Sequence, residues 1–142
     1  MRSINRLLIL TIVFNFFILI GAGHGVVFLG LIEILGPIDF FRGEIQFSFT
    51  GDYESRLFTA AFIASVGQII LIFSYFRKIQ HQKFKLIYTG LFLLFFSFLI
   101  LVIELLDSTL DSFSFWSGLP FLFISITLLI RTVKCQKNAL ST

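Results

Sequence analysis

Charged residues are scarce in this 142-residue chain: they make up 13% of it, against about 25% in an average soluble domain. So few charges cannot cover a globular surface with polar groups, which excludes a soluble enzyme, a nucleic-acid-binding module and a disordered linker. Hydrophobic residues take their place, at 57% of the chain with 21 Phe and a mean hydropathy of +0.98. The composition therefore predicts an integral membrane protein.

Cysteine and proline are almost as rare, with one Cys and two Pro. The single thiol, Cys135, excludes an internal disulfide. The sequence also lacks HExxH, paired cysteines, a phosphate-binding loop, Gly-x-Ser-x-Gly and a dinucleotide fingerprint. We therefore predict no catalytic residue, no metal site and no cofactor.

Four apolar runs are long enough to cross a bilayer, whose hydrocarbon core needs about 20 helical residues. Their continuous apolar character excludes a β-barrel, which requires alternating strands. We predict one all-α transmembrane domain folded as a four-helix bundle. The predicted spans are residues 7–27 with a possible extension to 35, then 57–76, 84–106 and 113–130.

The charges are distributed unevenly along these spans. Nine of the eleven basic residues precede the first span, fill the loop between the second and third, or follow the fourth. All eight acidic residues fall in the other half of the predicted bundle. By the positive-inside rule, both termini are expected in the cytoplasm of a multi-pass cell-membrane protein. The basic residues that produce the net charge of +3 thus indicate the orientation of the chain in the membrane, and no nucleic acid is expected as a partner.

The first apolar run has a second interpretation. Arg2 and Arg6, the apolar stretch 7–20 and the small residues 21–23 resemble the three regions of a cleavable signal peptide, whose removal would leave three spans. The apolar run continues to Ile32, far past such a cleavage point. A membrane span is therefore the preferred interpretation.

The loop from Gly36 to Ser55 is the one sizeable segment predicted outside the membrane. Apolar and polar residues alternate over 44–49, and a turn signal follows at 50–52. This pattern favours a short strand or an amphipathic segment. Its Phe side chains would anchor the loop at the bilayer surface, or its edge would dock a partner by strand addition.

Polar side chains inside the spans are the first candidates for function, because lipid makes them costly to keep. Asn15 and Gln68 fall at one depth, since each lies about 14 Å from the basic end of its span. A hydrogen bond between them would fix how two helices meet; the alternative is a waypoint on a substrate path. Ser97 and Ser125 have a similar pair of interpretations, a seam between the last two helices or a hydrophilic groove.

A second candidate site lies near the predicted outer surface. Glycines surround His24 in the sequence GAGHG, and Glu104 and Asp107 share one face of the third span. A histidine beside carboxylates can bind a cation or transfer protons. The plainer interpretation is an interfacial histidine bonded to a carboxylate or a lipid headgroup.

Three classes of function fit these features. The preferred prediction is an assembly or interaction subunit, which forms a homo-oligomer or binds a membrane-protein partner within the lipid bilayer. The second is a small oligomeric transporter or channel with a path through Asn15, Gln68 and Ser97 to His24 and Glu104. The third is an interfacial membrane enzyme that acts on lipid.

Overall fold

The structure is a computed structural model, and it describes residues 2–22, 25–41, 48–49, 52–106 and 108–140. Most of these residues are helical. In chain order the elements are α1 (Arg2–Phe16), β1 (Leu19–Ala22), β2 (Gly25–Phe28), α2 (Leu29–Phe41), α3 (Tyr53–Phe76), α4 (Gln80–Leu101) and α5 (Thr109–Leu140). Helices α3, α4 and α5 are each long and apolar enough to cross a membrane.

The predicted first span, 7–27, is not a continuous helix, and the structure corrects it. Helix α1 ends at Phe16, and the chain then forms an antiparallel hairpin that pairs Leu19 with Phe28 and Ala22 with Gly25. The apolar run holds three glycines at 21, 23 and 25, each of which would cost about 1 kcal/mol inside a helix relative to Ala. Its β-branched and aromatic residues suit strands instead.

The hairpin and α2 bring the chain back into the bundle. Leu29 N–H donates to Ile18 C=O at 2.8 Å, so α2 begins beside the residues that follow α1. Near the hairpin tip, Gly21 N–H donates at 3.2 Å to the hydroxyl of Tyr53, the first residue of α3. The first strand therefore runs from the middle of the bundle toward the helix ends, and the second strand returns to the level of Ile18.

The other helix ends also differ from the predicted ones. Helix α3 begins earlier, at Tyr53, and α5 extends past both predicted ends. Helix α4 stops at Leu101, before the predicted 106, and residues 102–106 form turns. The N–H of Glu104 does not continue the helix but donates to Asp111 Oδ2 at 2.9 Å. At this point the chain turns toward α5.

Helices α3 and α4 approach closely at two glycines. A Cβ on Gly67 would lie 3.1 Å from the carbonyl oxygen of Gly90, and one on Gly90 would lie 3.0 Å from that of Gly67. In the same interface the Ser97 hydroxyl donates to Ala60 C=O at 2.8 Å. The small-residue face of α4 thus packs on α3, whereas the sequence predicted a seam with the last helix.

The bundle has an apolar core, as a soluble protein does, but its outer surface is apolar as well. Large apolar side chains are exposed around its outside, among them Phe62, Phe73, Phe92, Trp116 and Phe123. Polar side chains such as Asn15, Gln68, Ser97 and Ser125 are buried. Such a surface suits lipid, because hydrocarbon chains solvate apolar side chains and leave polar groups to be satisfied internally.

Candidate functional site

Asn15, Glu33 and Gln68 form a hydrogen-bonded group in the middle of the bundle, which we name the central cluster. Gln68 Nε2 donates to Asn15 Oδ1 at 2.8 Å and to Glu33 Oε1 at 3.0 Å. The exposed fractions of the three residues are 0%, 9% and 8% in the order Asn15, Glu33, Gln68. One amide therefore links α1, α2 and α3.

The hydrogen bond between Asn15 and Gln68 is the one that their matched depth suggested, but Glu33 was missed. A continuous first helix would have carried Glu33 about 27 Å beyond Asn15, since 18 residues separate them. The hairpin removes that distance by returning the chain to the level of Ile18. The glycines at 21, 23 and 25 were the only sequence signal for such a return.

The carboxyl group of Glu33 has no basic partner in the described part of the chain, where both ion pairs involve Arg56. Its bonded neighbour, Gln68, is a neutral amide. Asn15 lies in the last turn of α1, and a helix C-terminus carries a partial negative charge. The surroundings of Glu33 thus lack the positive charge that normally accompanies a buried carboxylate.

Asn15 also leaves one hydrogen-bonding group unused. Its Nδ2 is buried and has no hydrogen-bond partner. A buried donor without an acceptor costs about 1–3 kcal/mol. The central cluster is therefore incomplete in two respects, an uncompensated carboxyl group and an unused amide donor.

A second buried polar group, which we name the Arg56 cluster, lies where α3 and α5 begin. Arg56 Nη1 donates to Asp111 Oδ2 at 3.1 Å, and Nη2 donates to Glu104 Oε2 at 2.8 Å. The Tyr53 ring centroid lies 5.8 Å from the Arg56 guanidinium carbon. The Arg56 and Asp111 side chains are 3% and 0% exposed, whereas Glu104 is 51% exposed.

The residues at the start of α5 position Asp111 to accept hydrogen bonds from Arg56. Ser108 precedes α5, and its hydroxyl accepts a hydrogen bond from Asp111 N–H at 3.3 Å. This is the first half of a capping box, in which an acid three residues later normally returns a bond to the capping residue. Here the Asp111 carboxylate instead accepts from Arg56 and from Glu104 N–H. The helix start is thereby fastened to α3.

The predicted cluster of His24, Glu104 and Asp107 is described only at Glu104, which is bound to Arg56. His24 and Asp107 lie outside the described residues, so the cluster stays a prediction. Residues 44–47 of the predicted strand also lie outside them. Ser48 N–H donates to Thr59 Oγ1 at 3.0 Å, and the exposed Phe49 ring lies 6.3 Å from that of Phe96.

The two buried serines of the proposed substrate path both bond to backbone carbonyls. Ser97 donates to Ala60 on α3, and Ser125 Oγ lies 2.7 Å from the carbonyl oxygen of Phe121 in its own helix. Both hydroxyls are therefore occupied by backbone acceptors.

A surface groove of about 150 Å³ lies between α1 and α3. It is apolar and is lined by Leu8, Ile9, Ile12, Ile72, Tyr75 and Phe76.

The two outer edges of the hairpin differ in the hydrogen bonds of their backbone groups. The register directs the backbone groups of Leu19 and Gly21 away from β2. Leu19 N–H donates to Ser117 Oγ at 3.1 Å, and the same oxygen lies 3.2 Å from Leu19 C=O. On β2 the equivalent outward groups belong to Val26 and Phe28. The Phe28 carbonyl accepts the first hydrogen bond of helix α2, which begins at Leu29, whereas no described residue bonds to the outward N–H and C=O of Val26. Val26 is 58% exposed.

Over the described ranges, no group of three or more His, Cys, Asp or Glu side chains is placed to hold a metal ion. Comparison with protein families, curated proteins and solved structures finds no match to the chain. Functional proposals therefore depend on the contacts of the two clusters and the hairpin.

Proposed function

We propose that the protein is a multi-pass membrane protein that acts as an assembly subunit and pairs with a second copy of itself along the outer edge of β2. The observation that supports this proposal is the outward backbone edge of β2, where the N–H and C=O of Val26 and the N–H of Phe28 have no described partner. In the proposed orientation both termini are cytoplasmic, which the one-sided distribution of basic residues supports.

The deeper end of this edge, at Phe28, favours pairing with another strand. Phe28 pairs with Leu19, which contacts Ser117, eight residues into α5. At about 1.5 Å per residue, Phe28 lies roughly 12 Å below the start of that helix. Lipid tails supply no hydrogen bonds at such a depth, where each unsatisfied backbone group costs several kcal/mol. Another strand would satisfy the N–H and C=O groups together.

A second copy of the chain supplies a strand of matching chemistry. Two β2 strands related by a two-fold axis run antiparallel, so each offers the donors and acceptors that the other lacks. The exposed side chains of Val26 and Phe28 are apolar and tolerate the lipid around such a pair. A two-fold pair also leaves no further open edge on either hairpin, because β1 is bonded to α3 and α5.

The transport and enzyme alternatives receive less support. Ser97 and Ser125 bond to backbone carbonyls, which favours packing over a path for substrate. The acid and base proposed for an interfacial enzyme depend on His24, which lies outside the described residues. The assembly proposal depends on no residue of either alternative.

Cysteine cross-linking in native membranes tests the proposed pairing. In a Cys135→Ser background, Val26→Cys should form disulfide-linked dimers on mild oxidation, because identical positions lie close across the axis. Phe123→Cys on α5 is the matched control, since Phe123 is also strongly exposed. Equal cross-linking of both variants would indicate random collision and contradict the proposal.

A proline variant tests the hydrogen bonds themselves. Val26 N–H faces away from β1, so Val26→Pro removes an outer donor and leaves the pairing within the hairpin in place. We expect the dimer fraction in lipid nanodiscs to fall at least tenfold, while Val26→Ala keeps it. A wild-type protein that is monomeric in nanodiscs, or a Val26→Pro dimer as stable as wild type, would overturn the proposal.

A further inference from the structure

We propose that the central cluster is a proton-binding site, in which the carboxyl group of Glu33 takes up a proton and shares it with the amide of Gln68. Nothing in the assembly proposal requires this site. Glu33 bonds to a side chain on α3 inside the bundle, whereas the assembly edge lies on β2.

The absence of a compensating charge is the first argument. Removing an ionised carboxylate from water into an apolar environment is far more costly than removing the neutral acid. Arg56 offsets this free-energy cost for Asp111, because its Nη1 lies 3.1 Å from Asp111 Oδ2. Glu33 has only the Gln68 amide as its hydrogen-bond donor. A bound proton would remove the charge without requiring any further residue.

No described element packed against α2 supplies a positive charge that could take the place of that proton. Helix α3 brings Gln68, but its Arg56 lies twelve residues away, or roughly 18 Å along the helix, and already binds two acids. Helix α1 brings Asn15, while its Arg6 is exposed near the opposite end. The described strand β2 contains only Gly, Val and Phe. No described charged group therefore faces Glu33.

The pattern of hydrogen bonds is the second argument. With Glu33 ionised, Gln68 Nε2 donates to both neighbours, and Asn15 Nδ2 has no acceptor. If both amides turn by 180°, Gln68 Oε1 takes the shared position and accepts from Asn15 Nδ2 and from a Glu33 O–H. The unused atom of Asn15 is then its carbonyl oxygen, which proteins tolerate better than an unused N–H.

The proposed step is a simple association. A proton from water forms an O–H bond on Glu33 Oε1, no covalent bond in the protein breaks, and the cluster loses one negative charge. A proton fits better than a metal ion, because one carboxylate and two amides provide fewer oxygens than the roughly six that hard cations take.

Carbon-13 NMR of the full chain in lipid nanodiscs, with glutamate labelled at its side-chain carboxyl carbon, tests the site directly. The chain has four Glu residues. We expect one carboxyl signal to remain in the protonated position at about pH 6, where ordinary Glu side chains are ionised. That signal should vanish in Glu33→Gln and persist in Glu54→Gln, which removes an exposed Glu from the first turn of α3.

Three results would overturn the proposal. If all four signals ionise together in the acidic range, Glu33 is an ordinary carboxylate. If sodium in place of choline at constant pH displaces the Glu33 signal, the ligand is a metal cation. If the signal of wild type never changes up to the alkaline limit of folding, the proton is permanent and the site does not bind it reversibly.

The same titration separates this proposal from the assembly proposal. In Val26→Pro, which is expected to be monomeric, the protonated signal should persist, because Glu33 contacts α1 and α3 of its own chain. A normal signal in a monomeric wild type would support the proton site and contradict the dimer. A dimer without a protonated Glu33 would do the reverse.

Discussion

The Arg56 cluster and the central cluster both bury carboxyl groups, but only one of them contains a positive charge. In the Arg56 cluster, a guanidinium lies between Asp111 and Glu104, and Glu104 is half exposed to its surroundings. In the central cluster, Glu33 bonds to an amide alone. The first arrangement is suited to holding helices together, and the second leaves a group free to change its protonation state.

The position of each cluster accounts for this difference. The Arg56 cluster lies at the start of α3 and α5, where charged side chains end the apolar runs. The central cluster lies where the hairpin places α2 against the middle of α3. A membrane protein commonly keeps an ionisable group at such a depth for function and not for stability.

Removal of Arg56 should have the largest effect on stability. Arg56→Met leaves Asp111 buried without its cation, which we expect to lower the free energy of unfolding by about 3–5 kcal/mol. Denaturant unfolding in mixed micelles measures it. The double variant Arg56→Met with Asp111→Asn should recover more than half of the loss, since no buried charge is then left unpaired and Glu104 is half exposed. A loss as small as that of an exposed pair would show that water reaches Asp111.

Removal of the central amide should have a smaller effect. Gln68→Leu deletes two hydrogen bonds inside the bundle, and side-chain bonds between membrane helices contribute about 0.6 kcal/mol on average, with a maximum near 1.7. We therefore expect a loss of about 1–2 kcal/mol in the same unfolding assay. A loss larger than that of Arg56→Met would reverse the comparison between the two clusters.

Neutralising Glu104 should have the smallest effect. Its side chain is 51% exposed, and exposed ion pairs contribute about 0–1 kcal/mol. Glu104→Gln should therefore change stability by less than about 1 kcal/mol, since Asp111 remains bonded to Arg56. Glu54→Gln is the control for loss of an exposed acid. An effect close to that of Arg56→Met would assign the stabilising role to Glu104 in place of Asp111.

Hydropathy predicted the three long helices because a continuous apolar run is sufficient to identify a spanning helix. It failed over 17–28, since the same apolar residues suit a strand wherever the backbone finds other partners. Those partners, Ser117 and Tyr53, lie far along the chain, and no local pattern shows them. For the same reason, depth along the predicted spans placed Asn15 level with Gln68 but did not place Glu33 beside them.

Arg56 illustrates a second limit. In the sequence it stands directly before the predicted span 57–76, and one-dimensional spacing does not show that such a charge folds inward. Its two carboxylate partners lie 48 and 55 residues away. Burial of a charged group is decided by such contacts, and they become visible only when the helices are assembled.

The contact between Leu19 and Ser117 has a consequence for biosynthesis. The two residues are 98 positions apart, and the ribosome makes the hydroxyl that completes the edge of β1 long after the first apolar run has left the exit tunnel. Until α5 enters the membrane, the outward N–H and C=O of Leu19 lack the Ser117 hydroxyl, and in a helix these groups would be satisfied within the segment itself. We therefore expect the first segment to enter the bilayer as a provisional helix and to form the complete hairpin only after α5 is in place.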